Sequence, residues 1–197
     1  MPSYSRLFWS ITICSALAGC EGRPQFKSTD ITGAPYGQAL ELTDHTGKPR
    51  RLEDWRGKAV VLFFGFTHCP DICPTTLADI AGAVKSLGPD AERVQVLMVS
   101  VDPERDTQES LANYVTAFDP RFLGLRGDLA ATKKVASEFK IYFEKRKQGG
   151  SYTVDHSAQS YVIDPQGRLR LLVRHDRIGQ DLAPDLRTLL KSPRLGG

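Results

Sequence analysis

Unbroken apolar runs alternate with helical-period patterns along most of this chain. Ala59 to Phe66, "AVVLFFGF", is a continuous run of strand formers, the pattern of a central strand covered on both faces. Val94 to Asp102, "VQVLMVSVD", is a second such strand. Between them Leu77, Ile80, Ala81, Val84 and Leu87 recur at helical spacing, predicting a helix from Pro74 to Leu87 that Gly88-Pro89 stops. Thr107 to Phe118 opens on a capping residue and sets Leu111, Tyr114, Val115 and Phe118 on one face, predicting another helix, and Asp128 to Phe139 a third. Ahead of these, "QALELTDHTGKPRRL" reads as two short strands about an Asp44-His45-Thr46-Gly47 turn. Extended segments follow at Ile141 to Lys147, Ser160 to Asp164 and Leu169 to Val173, the last two joined by Pro165-Gln166-Gly167, and a closing helix runs near Leu182 to Lys191.

Strand, helix, strand, helix, then paired strands and a final helix is an α/β order in which a parallel half joins an antiparallel half. It fits a thioredoxin-like fold with an N-terminal β-hairpin addition, occupying residues 36–197. At 197 residues the chain is long enough for one well-packed domain and shows no internal repeat. Functional groups in such sheets gather beyond the carboxyl ends of the strands, where Cys69, Cys73 and Asp102 fall.

Composition changes this picture only at the N-terminus. With 26 Lys and Arg against 23 Asp and Glu, the net charge of +3 is spread thinly, which excludes a polycationic stripe for nucleic acid. Leu7 to Ala18 is almost wholly apolar behind the single charge of Arg6, so residues 1–19 read as an export signal. About twelve apolar residues fall short of a hydrocarbon core of ~30 Å, and a transmembrane anchor is not expected. "LAGC", Leu17 to Cys20, resembles a bacterial lipobox, which implies cleavage before Cys20 and a lipid on its sulfur; residues 20–35 then form a polar linker. The expected setting is the bacterial cell envelope, with the chain lipid-anchored and facing the periplasm.

Export leaves Cys69 and Cys73 as the chemistry-bearing thiols, since Cys14 departs with the signal and Cys20 is lipidated. In "GFTHCPDICPTT" they stand four apart with a proline after each. With Pro74 at the first helical position, Cys73 lies at a helix N-terminus, where free amides and the dipole favour a thiolate. Residues four apart on a helix hold their β-carbons ~5–6 Å apart and a relaxed disulfide needs ~3.5–4.5 Å, so an ion suits the gap better, and the irregular backbone still allows reversible oxidation. Of the four histidines, His45 lies in a hairpin turn, His175 in the charged run "RHDR", and His68 beside Cys69 on extended chain. His156, in "YTVDHSAQ" after Gly149-Gly150, is the better-placed third ligand, although the residues alone equally allow a surface histidine satisfied by Asp155 or Ser157. Two thiolates and an imidazole suit Cu(I) and can take Cu(II), whereas structural zinc wants a fourth ligand. Asp71, Asp102 and Asp155 are candidates to orient the ligands or meet a partner.

"GFTHCPDICPTT", "VSVDPERDT" and "VDHSAQSYVIDPQG" resemble, in order and spacing, the three signature segments of the Sco/SenC family of copper-binding thioredoxin-like proteins. The resemblance implies that Cys69, Cys73 and His156 ligate copper, and that the protein delivers it to, or reduces the cysteines of, the binuclear copper site of cytochrome c oxidase subunit II, or serves another periplasmic copper or thiol protein. Many family members keep a transmembrane helix where this chain shows a lipobox. The expectation is a transfer protein rather than an enzyme with turnover. A thiol-disulfide oxidoreductase cycling Cys69 and Cys73 without metal is the alternative, and a thiol peroxidase a third reading that gives no reason for Cys73 and His156.

Overall fold

The computed structural model describes residues 24–191. Their strands are β1 (Thr29–Asp30), β2 (Glu41–Asp44), β3 (Pro49–Arg51), β4 (Ala59–Gly65), β5 (Val94–Ser100), β6 (Leu123–Arg126), β7 (Phe143–Gln148), β8 (Ser151–His156), β9 (Ser160–Ile163) and β10 (Leu169–Val173). The helices are α1 (Ile72–Lys85), α2 (Gln108–Thr116), α3 (Leu129–Glu138) and α4 (Ile178–Lys191). Eight strands form one sheet in the order β1-β10-β9-β4-β5-β6-β2-β3, while β7 and β8 pair with each other as a separate hairpin. The thioredoxin-like α/β expectation holds: β4, β5 and β6 run parallel, and β9 and β10 close the sheet antiparallel on the β4 side.

All seven residues of β4 are buried, as a strand covered on both faces requires. Successive side chains then separate by face. Phe63 and Gly65 turn toward α1, whereas Phe64 meets Phe139, the residue that caps α3, with ring centroids 5.7 Å apart. Helix α1 buries Leu77, Ile80 and Val84 and packs against α4. Thr107 caps α2 as expected and Asp128 caps α3, each accepting a bond from the amide three residues on.

Two hairpin turns share one device. Asp44 Oδ1 accepts from the backbone N–H groups of Thr46 and Lys48, and its Oδ2 from Arg50. Asp164 repeats the pattern with the N–H groups of Gln166 and Arg168 and the side chain of Arg170. Both carboxylates are buried, and each replaces its water with donors from its own turn.

Several elements extend the sequence reading or differ from it. The N-terminal hairpin is present as expected, and the structure adds how it joins the domain: β2 pairs with β6, so it forms one edge of the main sheet. Strand β6 itself was not expected, because four residues, "LGLR", are too few to show a period. The end of the segment read as linker is docked: β1 pairs with β10, and Asp185 binds the N–H groups of Lys27 and Ser28. Helix α4 starts four residues before Leu182 and contains Pro184 on its exposed side, where water can serve the carbonyl left unpaired. Among the described residues no helix is long and apolar enough to cross a membrane. The segment read as an export signal, Cys14 within it and the lipid site expected at Cys20 lie outside the described residues.

Candidate metal centre

The chain leaves β4 at Gly65 and reaches α1 through a short turn in which the Cys69 amide bonds to the Phe66 carbonyl. Helix α1 begins at Ile72, with Asp71 at the cap position, two residues before the start expected from Pro74. Proline is tolerated at the third helical position for the same reason as at the first. The opening turn has no carbonyl partners for its amides, and the first bond of the ladder runs from the Thr75 N–H to the Asp71 carbonyl. Cys73 therefore sits inside the first turn, and its free N–H points at Cys69 Sγ, 3.4 Å away.

His156 is the last residue of β8. The sequence reading put it in a loop just before a strand; it closes a strand that was missed because only Val154 of "SYTVDH" is buried. Its Nε2 lies 3.5 Å from Cys73 Sγ. Its Nδ1 lies 2.9 Å from the Ser157 carbonyl, which can only accept, so Nδ1 carries a hydrogen and Nε2 is the ring atom turned to the sulfurs. Phe63 and Phe66 meet the imidazole edge-on at centroid distances of 6.4 and 5.8 Å. One ligand atom from each of Cys69, Cys73 and His156 falls within 4.8 Å of the other two. The site opens on a cavity of about 380 Å³ lined by Phe66, Cys69, Pro70, Ile72 and His156 among others.

Both thiols are free, and they divide the work. Cys69 accepts a hydrogen bond from the Cys73 thiol, burial opposes ionisation, and His156 and the backbone N–H groups of Cys73 and Asp71 assist it, leaving Cys69 at about 4. Cys73 is pushed strongly upward, first as the donor in that pair and then by burial. This reverses the expectation that Cys73 is the acidic thiol. The amide of the first helical turn is aimed at the sulfur of Cys69, while Cys73 itself is fully enclosed.

The remaining candidates scatter. His68 is exposed and turns toward Thr67 and Asp106; His45 accepts from the Gly124 N–H; His175 is exposed in a short turn before α4. Asp71 is exposed, makes no capping bond with its side chain, and contributes its N–H rather than its carboxylate. Asp155 pairs with Arg146, and both are more than half exposed. Asp102 is fully buried and accepts from the Tyr152 hydroxyl and from Arg105 Nε, so it acts on the strand that carries His156 and touches no sulfur.

This constellation on this sheet coincides with a sequence match. The family model described as SCO1/SenC matches residues 28–191. The chain belongs to the SCO1/SenC family. It is 40% identical over 151 residues to the mitochondrial SCO2 homologue of Bos taurus, a match covering 74% of this chain and 57% of that protein. The chain spans 45 to 67% of the length of the mitochondrial SCO relatives it matches. Among solved structures, copper-bound ScoI of Bradyrhizobium japonicum is 40% identical with a TM-score of 0.72, covering 79% of this chain and 99% of that one. Apo Sco1 of Thermus thermophilus is 41% identical with a TM-score of 0.76, covering 85% and 99%.

Within this SCO1/SenC fold the sequence reading missed Arg105, Asp106 and Tyr152. Asp106 is fully buried and takes bonds from the Thr67 hydroxyl at 2.6 Å and the Ser100 hydroxyl at 2.6 Å, which fixes the turn leading to Cys69. Burial raises its carboxyl above the usual range, against those bonds. The signal available was "DPERDT", whose charges resemble those of any solvated loop.

Proposed function

We propose that this chain is a membrane-tethered copper chaperone that holds Cu(I) as cargo through Cys69, Cys73 and His156. It passes the ion to, or reduces the cysteines of, the binuclear copper site of cytochrome c oxidase subunit II. The observation that carries the reading is the meeting of two thiols and one imidazole within 4.8 Å at an open strand end. Two soft anions and a neutral nitrogen retain Cu(I) at low coordination and leave one side open, so a partner's thiolates can enter and exchange ligands in turn. The copper-bound state of a relative 40% identical over most of the chain supports copper as the cargo. In this reading residues 1–19 are removed on export and Cys20 carries the lipid that holds the domain in the bacterial envelope, facing the periplasm.

The test is anaerobic Cu(I) loading of the full chain beside its Cys69→Ser, Cys73→Ser and His156→Ala variants. About one equivalent of copper in the wild type, a two-sulfur, one-nitrogen absorption signature and severe weakening in all three variants are expected. Wild-type affinity in His156→Ala removes that ligand. For the tether, Cys20→Ser should release the chain from the membrane fraction.

A second reading has its own support: a thiol held at about 4 beside a buried partner is the arrangement of an attacking and a resolving cysteine. A copper-free thiol-disulfide oxidoreductase should reduce a disulfide substrate catalytically, and His156→Ala should leave that turnover intact.

A further inference from the structure

His156 rides on a hairpin that the main sheet does not hold. Strands β7 and β8 bond to each other and to no strand of the eight-stranded sheet, and an isolated two-stranded hairpin is marginal in water. His156 stands at its open end, opposite Phe143, far from the Gly149-Gly150 turn. Something else must hold the imidazole at the sulfurs.

Strand periodicity shows where the hold is. Tyr152, Val154 and His156 alternate with Thr153 and Asp155, so the three share one face of β8, and Val154 is buried there. On that face Arg105 Nη1 donates to the Tyr152 carbonyl at 2.9 Å, and its guanidinium carbon lies 3.8 Å from the centroid of the Tyr152 ring. Arg105 Nε bonds to Asp102, whose other oxygen takes the Tyr152 hydroxyl at 2.9 Å. The same guanidinium stands 5.8 Å from the Phe66 ring, which in turn abuts His156. Lys145 on β7 adds an ion pair to Glu104. The loop after β5 thus reaches both strands of the hairpin.

We infer that Arg105, seated on Asp102 and gripping Tyr152, is a positioning residue that sets His156 against the thiol pair. The inference rests on the three-ligand reading for its consequence, and on the hairpin's attachments for its cause. The thiol pair is held separately, by Gly65, the first turn of α1 and the Asp106 contacts to Thr67. Losing the clamp therefore removes the nitrogen ligand and spares both sulfurs.

Two measurements on the full chain test this, with Arg105→Ala, Arg105→Lys and Tyr152→Phe. In the copper-free protein, amide exchange at residues 152–156 should accelerate at least about tenfold in Arg105→Ala, with β4 and β5 unchanged. Arg105→Lys should fail to rescue, because an ammonium cannot serve Asp102 and the Tyr152 carbonyl as a planar fork does. Tyr152→Phe keeps the ring and loses only the hydroxyl bond, so it should fall between. In the Cu(I)-loaded protein, X-ray absorption of Arg105→Ala should lose the nitrogen scatterer and keep two sulfurs, matching His156→Ala. Unchanged exchange in the hairpin overturns the inference, and so does uniform loss of protection across the fold. A wild type that lacks the nitrogen scatterer sinks the three-ligand reading instead, and the exchange data still decide whether Arg105 clamps the hairpin.

Discussion

Gly65 and Cys73 are so close that a β-carbon built on Gly65 would stand 2.9 Å from the Cys73 sulfur, and 2.7 Å from the Phe63 ring. The last residue of β4 is thus the floor on which the buried thiol rests, and no side chain fits between them. Gly65→Ala should displace Cys73, lowering stability by about 1–3 kcal/mol as overpacking does and weakening Cu(I) by about tenfold or more. Gly82 in α1 is the control: nothing lies within 4 Å of its added β-carbon. Gly82→Ala should stabilise the helix by about 0.5–1 kcal/mol and leave copper binding alone. Chemical unfolding and a competitive Cu(I) titration of both variants check the pair.

The two thiols should also react unequally. With Cys69 at about 4 and Cys73 enclosed and pushed upward, iodoacetamide should modify Cys69 alone in the reduced, copper-free protein. Its rate should be flat from about pH 6 upward and fall only as pH approaches 4, since the thiolate is the nucleophile. Peptide mapping by mass spectrometry across pH reads both features. A rate that climbs through the ordinary thiol range near 8.5, or labelling centred on Cys73, contradicts the assignment.

The same pair marks the limit of what the sequence makes legible. Strands β4 and β5 were readable because they are apolar on both faces, and helices α1 to α3 because their spacing and caps are local signals. Cys69 and Cys73 announce themselves within one motif. His156 meets Cys73 from 83 positions away, so only the resemblance pointed to it with force. Which thiol ionises was misread because proximity to a helix start was weighed without the full burial of Cys73 against Gly65. Arg105 was invisible for a related reason: a charged residue in "DPERDT" reveals its partner only when Tyr152 arrives from another strand.

Asp185 should govern how firmly the N-terminal segment is docked. Its two oxygens hold the Lys27 and Ser28 amides at 2.7 and 2.8 Å. Each such bond to a charged acceptor contributes about 1.5–3 kcal/mol. Asp185→Ala should free this stretch while the core persists, so limited trypsin digestion should cut after Lys27 far faster than in the wild type. Equal cutting rates would show that the pairing of β1 with β10 suffices by itself.

Asp44 links fold stability to pH with a definite sign. Burial by itself would raise its carboxyl, but bonds from the Thr46 hydroxyl, the Arg50 side chain and the N–H groups of Lys48 and Thr46 outweigh it and bring it down to about 2. In the unfolded chain the group returns to about 3.9. A depressed carboxyl stabilises the fold fully above its unfolded value, and the contribution is lost as pH falls through the folded one. The window is therefore between about pH 4 and pH 2, and the amount is about 2–3 kcal/mol. Asp44→Asn cannot titrate, so its deficit in urea stability relative to wild type should be constant from pH 7 to about 5 and shrink toward pH 2. A deficit independent of pH over that whole range would mean that Arg50 and the turn amides do not favour the ionised form, and that Asp44 acts there only through its shape.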